Sequence, residues 1–185
     1  MIEKINQEIE LHASNSIFSP NVDGLTSEDW DELLEFIRLD YARYYSSEFD
    51  VTKIKYFPGL LATFYYRIAR HLYLSDREVL ALEFSSLGAS LTNIELYYSA
   101  EIGQSFKINH GLSTVVGSRT QVGNNVTLHH TVTLGEKNGG RAKLGDNVVV
   151  YPGAIIVGDT FIGHNSIVGA NVFVDQSYPA NSIIK

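Results

Sequence analysis

IGQSFKINHGLSTVVGSRTQVGNNVTLHHTVTLG, residues 102–135, is written in words of six. After the segment EKNGGRAK (136–143) the words resume as LGDNVVVYPGAIIVGDTFIGHNSIVGANVFV, residues 144–174. An aliphatic anchor opens each word: Ile102, Ile108, Val116, Val122, Leu128, Leu134, Leu144, Val150, Ile156, Ile162, Val168 and Val174. Two places earlier stands a small or apolar residue, as at Ala100, Val126, Ala142 and Thr160. A repeat of six matches neither the 3.6 of one helix nor the 2 of one alternating strand. Three short strands with inward anchors close a triangular coil, and Gly, Asn and Asp suit its corners. Stacked coils bury one continuous core. Twelve anchors make about four coils of a parallel β-helix.

Two places break the count. Two residues are extra between Ile108 and Val116, and four between Leu134 and Leu144. The packed interior has no room for them, so they must bulge outward, where function tends to sit. The second insertion carries Glu136, Lys137, Arg141 and Lys143 around Gly139 and Gly140 and is expected to be a mobile arm.

Ahead of the repeats the chain reads as helices. A short one spans Ile2 to about Ala13, followed by the loop-like SNSIFSPNVDGLTS (14–27) with Pro20 and Gly24 as breakers. Ser27 is the expected cap of the next helix, with Glu28 and Asp29 in its first turn. Trp30, Leu33, Leu34, Ile37 and Tyr41 then recur at helical spacing as a packing stripe. Pro58-Gly59 opens PGLLATFYYRIARHLY, and Asp76 begins a last helix reaching toward Leu91. The expected architecture is α+β: an α-helical domain over 1–94 and a β-helix domain over 95–185. Phe57, Phe64, Tyr65, Tyr66 and Tyr73 make the helical part aromatic, and part of that surface is expected to pack on another subunit. His71 fits packing better than ligation.

Composition narrows the function. The 185 residues carry a net charge of −7 with no basic block, which argues against nucleic acid as partner. No cysteine is present, so there is neither a disulfide scaffold nor thiol chemistry, in keeping with a cytoplasmic setting. The N-terminus is unlike a secretory signal, and no apolar run is long enough to cross a membrane.

The remaining histidines gather on one face of the coils. Asn109-His110 follows the anchor Ile108, and His129-His130 follows Leu128. Tyr151-Pro152 and Gly169-Ala170 continue the column. His110 and His130 are therefore expected to stack about 4.8 Å apart. The column is either a polar site with a smooth groove beyond it or a plain corner ladder.

The run EIGQSFKINHGLSTVVGSRTQVGNNVTLHHTVTLG (101–135) resembles the serine O-acetyltransferase family, and also its relatives that acetylate surface sugars. More loosely, YFPGLLATFYYRIARHLY (56–73) is similar to the helix that ends that family's N-terminal domain. The resemblance implies a left-handed β-helix and an O-acetyltransferase with acetyl-CoA as co-substrate and no metal. It makes His110, in Asn109-His110-Gly111, the general base that takes a proton from the attacking alcohol. Glu95, fifteen residues earlier, becomes the carboxylate that orients the imidazole. The resemblance places the coenzyme between neighbouring β-helices of a homotrimer, along Gly135, Pro152, Ala154 and Ala170, with Lys143 a candidate for its phosphates. A pairing of trimers into hexamers is left open.

Departures from the family pattern bear on the acceptor. The acidic residue before the histidine, held to bind the serine amine, is Asn109 here. The Arg-His-Pro that engages the serine carboxylate reads Gly140-Arg141-Ala142, so Arg141 is the candidate guanidinium. His130 and Asp40 complete the acceptor-binding candidates. The chain ends at SYPANSIIK without the family's Gly-x-Pro-Ala-Arg turn, and docking on cysteine synthase is not expected. Four readings follow: acetylation of L-serine or a related small acceptor, acetylation of a sugar hydroxyl, a zinc carbonic anhydrase on the same coil, or a silent scaffold. The third needs three converging histidines, and His110, His129, His130 and His164 lack that family's His-x4-His spacing.

Overall fold

A computed structural model describes residues 1–14, 16–18, 20–22 and 24–185; the loop expected over 14–27 thus includes three positions outside the described residues. Four α-helices come first: α1 (Ile2–Ala13), α2 (Ser27–Tyr41), α3 (Pro58–Leu74) and α4 (Glu78–Thr92), with a 3₁₀ turn over Val51–Tyr56. Every strand begins at or after Glu95.

The repeats wind as the spacing predicts. Leu96, Val116, Leu134, Ile156 and Val174 stack in parallel register on a first face. Ile102, Val122, Leu144 and Ile162 stack on a second. Ile108, Leu128, Val150, Val168 and Ile184 stack on a third. All twelve anchors are buried. Two further anchors join them: Leu96, six residues before Ile102, and Ile184, which lies beyond a longer gap after Val174. One set of corners carries a ladder of left-handed asparagines, Asn125, Asn147, Asn165 and Asn181. Their side-chain amides bond from coil to coil at 2.8, 2.9 and 3.4 Å.

The four-residue insertion is a short hairpin rather than a loose arm. Glu136 pairs with Arg141 and Lys137 with Gly140, antiparallel, around Asn138-Gly139, both with positive φ. Asn-Gly favours such a two-residue turn, a signal the arm expectation overlooked. The Arg141 guanidinium reaches Glu136 at 3.3 Å and donates from Nε to the carbonyl of Ser118 at 2.9 Å.

The helices begin and end for local reasons. Thr26, not Ser27, is the N-cap of α2: its hydroxyl accepts from the Asp29 N–H, while the Asp29 carboxylate accepts from the Thr26 N–H at 2.7 Å. The helix α4 begins at Glu78 rather than Asp76, which has φ 56°, and it closes on the left-handed Asn93. Phe64, Tyr65 and Tyr66 are buried within the chain, so the aromatic surface expected to seek another subunit is mostly consumed by packing α3 against its neighbours.

The helical unit caps the open end of the solenoid. The first coil has no strand before it, so its backbone groups need partners from elsewhere. Tyr66 Oη donates to Ala100 O at 2.7 Å and accepts from the Ile102 N–H at 3.0 Å. Arg67 donates to the carbonyls of Ile102 and Gly103 at 2.5 and 2.6 Å. Asp40 accepts from the Phe106 N–H at 2.8 Å, and Arg43 donates to Ser105 O at 2.6 Å. Tyr44 Oη donates to Ile108 O at 3.0 Å and accepts from its N–H at 2.8 Å.

Candidate functional site

His110 owes its position to the two-residue insertion. Hydrogen bonds between coils align Leu112, His130 and Pro152 at equivalent corner places, because Thr131 N bonds Leu112 O and Gly153 N bonds His130 O. His110 and Gly111 are therefore the two inserted residues. Both are left-handed, with φ 61° and 51°. That conformation costs an ordinary side chain roughly 1–2 kcal/mol, and it turns His110 outward from the solenoid, where it is exposed. Gly111 is needed for space as well: a Cβ there would lie 2.3 Å from Ile94 Cδ1.

The expected column is present in altered form. His110 and His130 meet edge to face, with ring centroids 6.3 Å apart at 74°, rather than stacking one strand spacing apart. The bulge displaces His110 from the regular register. His129 stacks on Tyr151 at 5.1 Å and 11°. Burial, with His130 and His110 nearby, pushes the His129 imidazole below its ordinary range, so it stays neutral near pH 7. His130 Nδ1 is buried without a hydrogen-bond partner.

A cavity of about 310 Å³ opens beside His110. Its solenoid wall is Lys107, Ile108, Asn109 and His110; its helical wall is Tyr44 and the junction Tyr56, Phe57, Pro58 and Gly59. Gly59 makes this junction fit, since a Cβ there would stand 2.4 Å from Ile108 O. Tyr44 and Phe57 have ring centroids 5.3 Å apart, and Lys107 Nζ lies 5.1 Å from the Tyr44 ring centre. Burial pushes the Tyr44 hydroxyl well above its ordinary value, so it stays protonated. A larger cleft of about 1190 Å³ runs between α2, α3 and the second face, but neither His110 nor Asn109 lines it.

Of the residues expected to act, Asn109 and His110 line the small cavity, and His130 stands behind them. Glu95 is exposed at the head of the first strand, in register with Val115, and no hydrogen bond or ion pair joins it to His110. The packing of Gly111 on Ile94 nevertheless sets the bulge beside Glu95's strand. Asp40 is not at the cavity. It is 1% exposed and holds Arg67 at 2.8 Å, so the acceptor role expected for it gives way to capping the solenoid edge. Arg141 sits in the hairpin at the opposite edge of the first face. Pro152 and Ala170 share the corner next to His130, while Gly135 ends the first face beside Val157. Ala154 is fully buried among the anchors. Lys143 points from the second face and meets Asp159 at 3.3 Å. Among the described residues no group of three His, Cys, Asp or Glu is arranged to hold a metal ion. Sequence reasoning did not pick out Tyr44, Tyr56 or Lys107 and took Phe57 only as part of an aromatic surface, since nothing in the repeat pattern marks which helical residues will face it.

Comparison with known proteins agrees with the fold. A family pattern described as bacterial transferase hexapeptide (six repeats) matches residues 141–176. A serine acetyltransferase of Staphylococcus aureus (strain Mu50) is 36% identical over 132 residues, covering 69% of this chain and 62% of the relative. The chain spans from 44% to 62% of the length of the curated relatives it matches. Among solved structures, serine acetyltransferase isoform 3 of Entamoeba histolytica, in complex with cysteine, superimposes with a TM-score of 0.79 at 25% identity. That match covers all of this chain (100%) and 68% of the other. The serine acetyltransferase of Neisseria gonorrhoeae in complex with serine gives 0.74 at 28% identity, covering 82% and 66%. By its repeats, its stacked faces and these relatives, the chain belongs to the hexapeptide-repeat transferases, in the serine acetyltransferase family.

Proposed function

We propose that this chain transfers the acetyl group of acetyl-CoA to a hydroxyl of a small acceptor, with His110 as general base. The observation that carries the reading is the left-handed bulge that holds His110 at the mouth of a cavity large enough for a small molecule. The neutral His110 imidazole takes the acceptor's hydroxyl proton as that oxygen attacks the thioester carbonyl. The tetrahedral adduct then collapses, the carbon–sulfur bond breaks, and the imidazolium returns the proton to the departing thiolate. The products are an acetyl ester and free CoA. Glu95, on the strand beside the bulge, serves as the carboxylate that orients the imidazole and stabilises its charged form. No covalent acetyl-enzyme is required.

The coenzyme lies against the first face, where Pro152 and Ala170 form one edge and Gly135 the other. Ala154 lies buried behind this face, and Lys143 reaches the phosphates from the adjoining face. The chain acts as a homotrimer in which Arg141 of the hairpin approaches the site of a neighbouring copy. The names of the relatives point to L-serine, or a related small acceptor, as the first to try.

Release of free CoA thiol from acetyl-CoA tests the reaction, with L-serine, homoserine and a set of sugars as acceptors. His110→Ala is expected to lower the acceptor-dependent rate about 100- to 10,000-fold while the folded state is kept. Absence of thiol release with every acceptor would overturn the reading.

A further inference from the structure

His110 springs from an edge strand. The strand over Lys107–Asn109 ends the third face: it pairs with Thr127–His129 on one side and has no strand on the other. An edge strand offers unpaired backbone groups and opens more readily than a strand with two neighbours. On the open side the Ile108 N–H and carbonyl both meet one atom. Tyr44 Oη accepts from the N–H at 2.8 Å and donates to the carbonyl at 3.0 Å, in place of the two bonds a preceding coil would supply. Lys107 and Phe57 pack on the Tyr44 ring, and burial keeps its hydroxyl protonated, so it can donate. Gly59 leaves the approach open, since a Cβ there would stand 2.8 Å from Tyr44 Oη. His110 lies two residues beyond this clamp. Among the described residues no hydrogen bond holds its ring, so its place depends on the backbone that carries it and on the edge contact with His130.

Resting on the acetyl-transfer reading above, we propose that Tyr44 is a positioning residue: by standing in for the missing strand it holds the Asn109-His110 segment, and with it the general base, in reach of the acceptor hydroxyl. A misplacement of about 1 Å at such a base costs up to about 100-fold in rate. The open edge contains its own comparison. On the second face Tyr66 makes a like pair of bonds, donating to Ala100 O at 2.7 Å and accepting from the Ile102 N–H at 3.0 Å. Tyr66 lines the larger cleft, which neither His110 nor Asn109 enters. Two hydroxyls thus clamp the same open end of the solenoid, and only Tyr44 does so beside the base.

Tyr44→Phe and Tyr66→Phe each remove one oxygen and keep the ring. Both are expected to lower the Tm, since each leaves an edge N–H and an edge carbonyl without their partner. Thiol release is compared where both variants and the wild type are folded, with the acceptor that the wild type uses best among L-serine, homoserine and the sugars. Tyr44→Phe is expected to lower kcat about 10- to 100-fold with KM for acetyl-CoA unchanged. Tyr66→Phe is expected to leave kcat near the wild-type value. In the wild type the Ile108 N–H is expected to exchange with deuterium as slowly as the Leu128 N–H on the neighbouring strand. A loss of kcat in Tyr66→Phe as large as that in Tyr44→Phe, a change confined to KM, or no change in Tyr44→Phe overturns the positioning role and leaves acetyl transfer standing. Rapid exchange at Ile108 does the same. Absence of thiol release from the wild type with every acceptor overturns the acetyl-transfer reading, and the role of Tyr44 with it.

Discussion

At the scale of single residues, the bulge is the decisive feature. His110 and Gly111 are an insertion that the solenoid tolerates because the corner can turn through two left-handed residues. Gly111→Ala adds a Cβ that must displace Ile94, which is 1% exposed and therefore has little freedom to move. The combined strain and overpacking are expected to cost about 2–4 kcal/mol, read as a lowered midpoint in urea. A loss below about 1 kcal/mol would show that the bulge is soft. His129 supplies a pH test. Its folded pKa lies below the ordinary 6.5, so near neutral pH and above both forms are unprotonated and its contribution is complete. As pH falls below 6.5 the unfolded chain takes up the proton first, and stability declines. Between pH 7.5 and about 5.5 the wild-type Tm is expected to fall, and His129→Gln is expected to reduce that fall. His12, pushed down mainly by burial against Tyr65, acts with the same sign, so the reduction will be partial.

At the scale of elements, the junction between α2, α3 and the first coil is a row of polar side chains meeting backbone groups that have no neighbouring strand. Asp40 is central to it. Burial pushes its carboxyl up, and the Arg67 guanidinium beside it pulls back toward the ionised form. Asp40→Ala would leave Arg67 buried without its partner and the Phe106 N–H without an acceptor. The expected cost is about 3–5 kcal/mol, measured by denaturant unfolding. Retention of wild-type stability would mean that water replaces the carboxylate and the cap is dispensable. The same junction explains why Asp40 resists assignment from sequence. An acid within a helix reads alike whether it faces a ligand or the bare edge of a sheet, and only the docking of α2 onto the coil distinguishes the two.

At the scale of the whole molecule, the outward row of the first face changes from polar to apolar along the solenoid. That row runs Glu95, Val115, Thr133, Ile155, Phe173, and its apolar part lies at the far end, where Ile155 and Phe173 are 38% and 59% exposed and suit cover by a second copy. Light scattering is expected to give three times the 20.6 kDa chain mass, and Phe173→Glu to shift the population toward single chains. A wild-type mass of one chain would remove the trimer, and with it the approach of Arg141 to a neighbour's site. The six-residue recurrence alone determined the solenoid, its three faces and its insertions, because each buried anchor must return to the same inward direction. It also brought His110 and His130 to one face, while Asn109 was marked by the resemblance to a known family. The helices at Pro58 and near Thr26 were legible from capping chemistry. Only the tertiary structure decided what those helices do: that Tyr44, Tyr66, Arg67 and Asp40 cap the coil, and that Tyr56, Phe57 and Lys107 wall the cavity. Those relations join residues 34 to 66 positions apart through backbone groups rather than through any local pattern. The physical reason is that a solenoid's core is periodic and can be counted along the chain, whereas its exposed end is met by side chains whose direction is settled only when the two units pack.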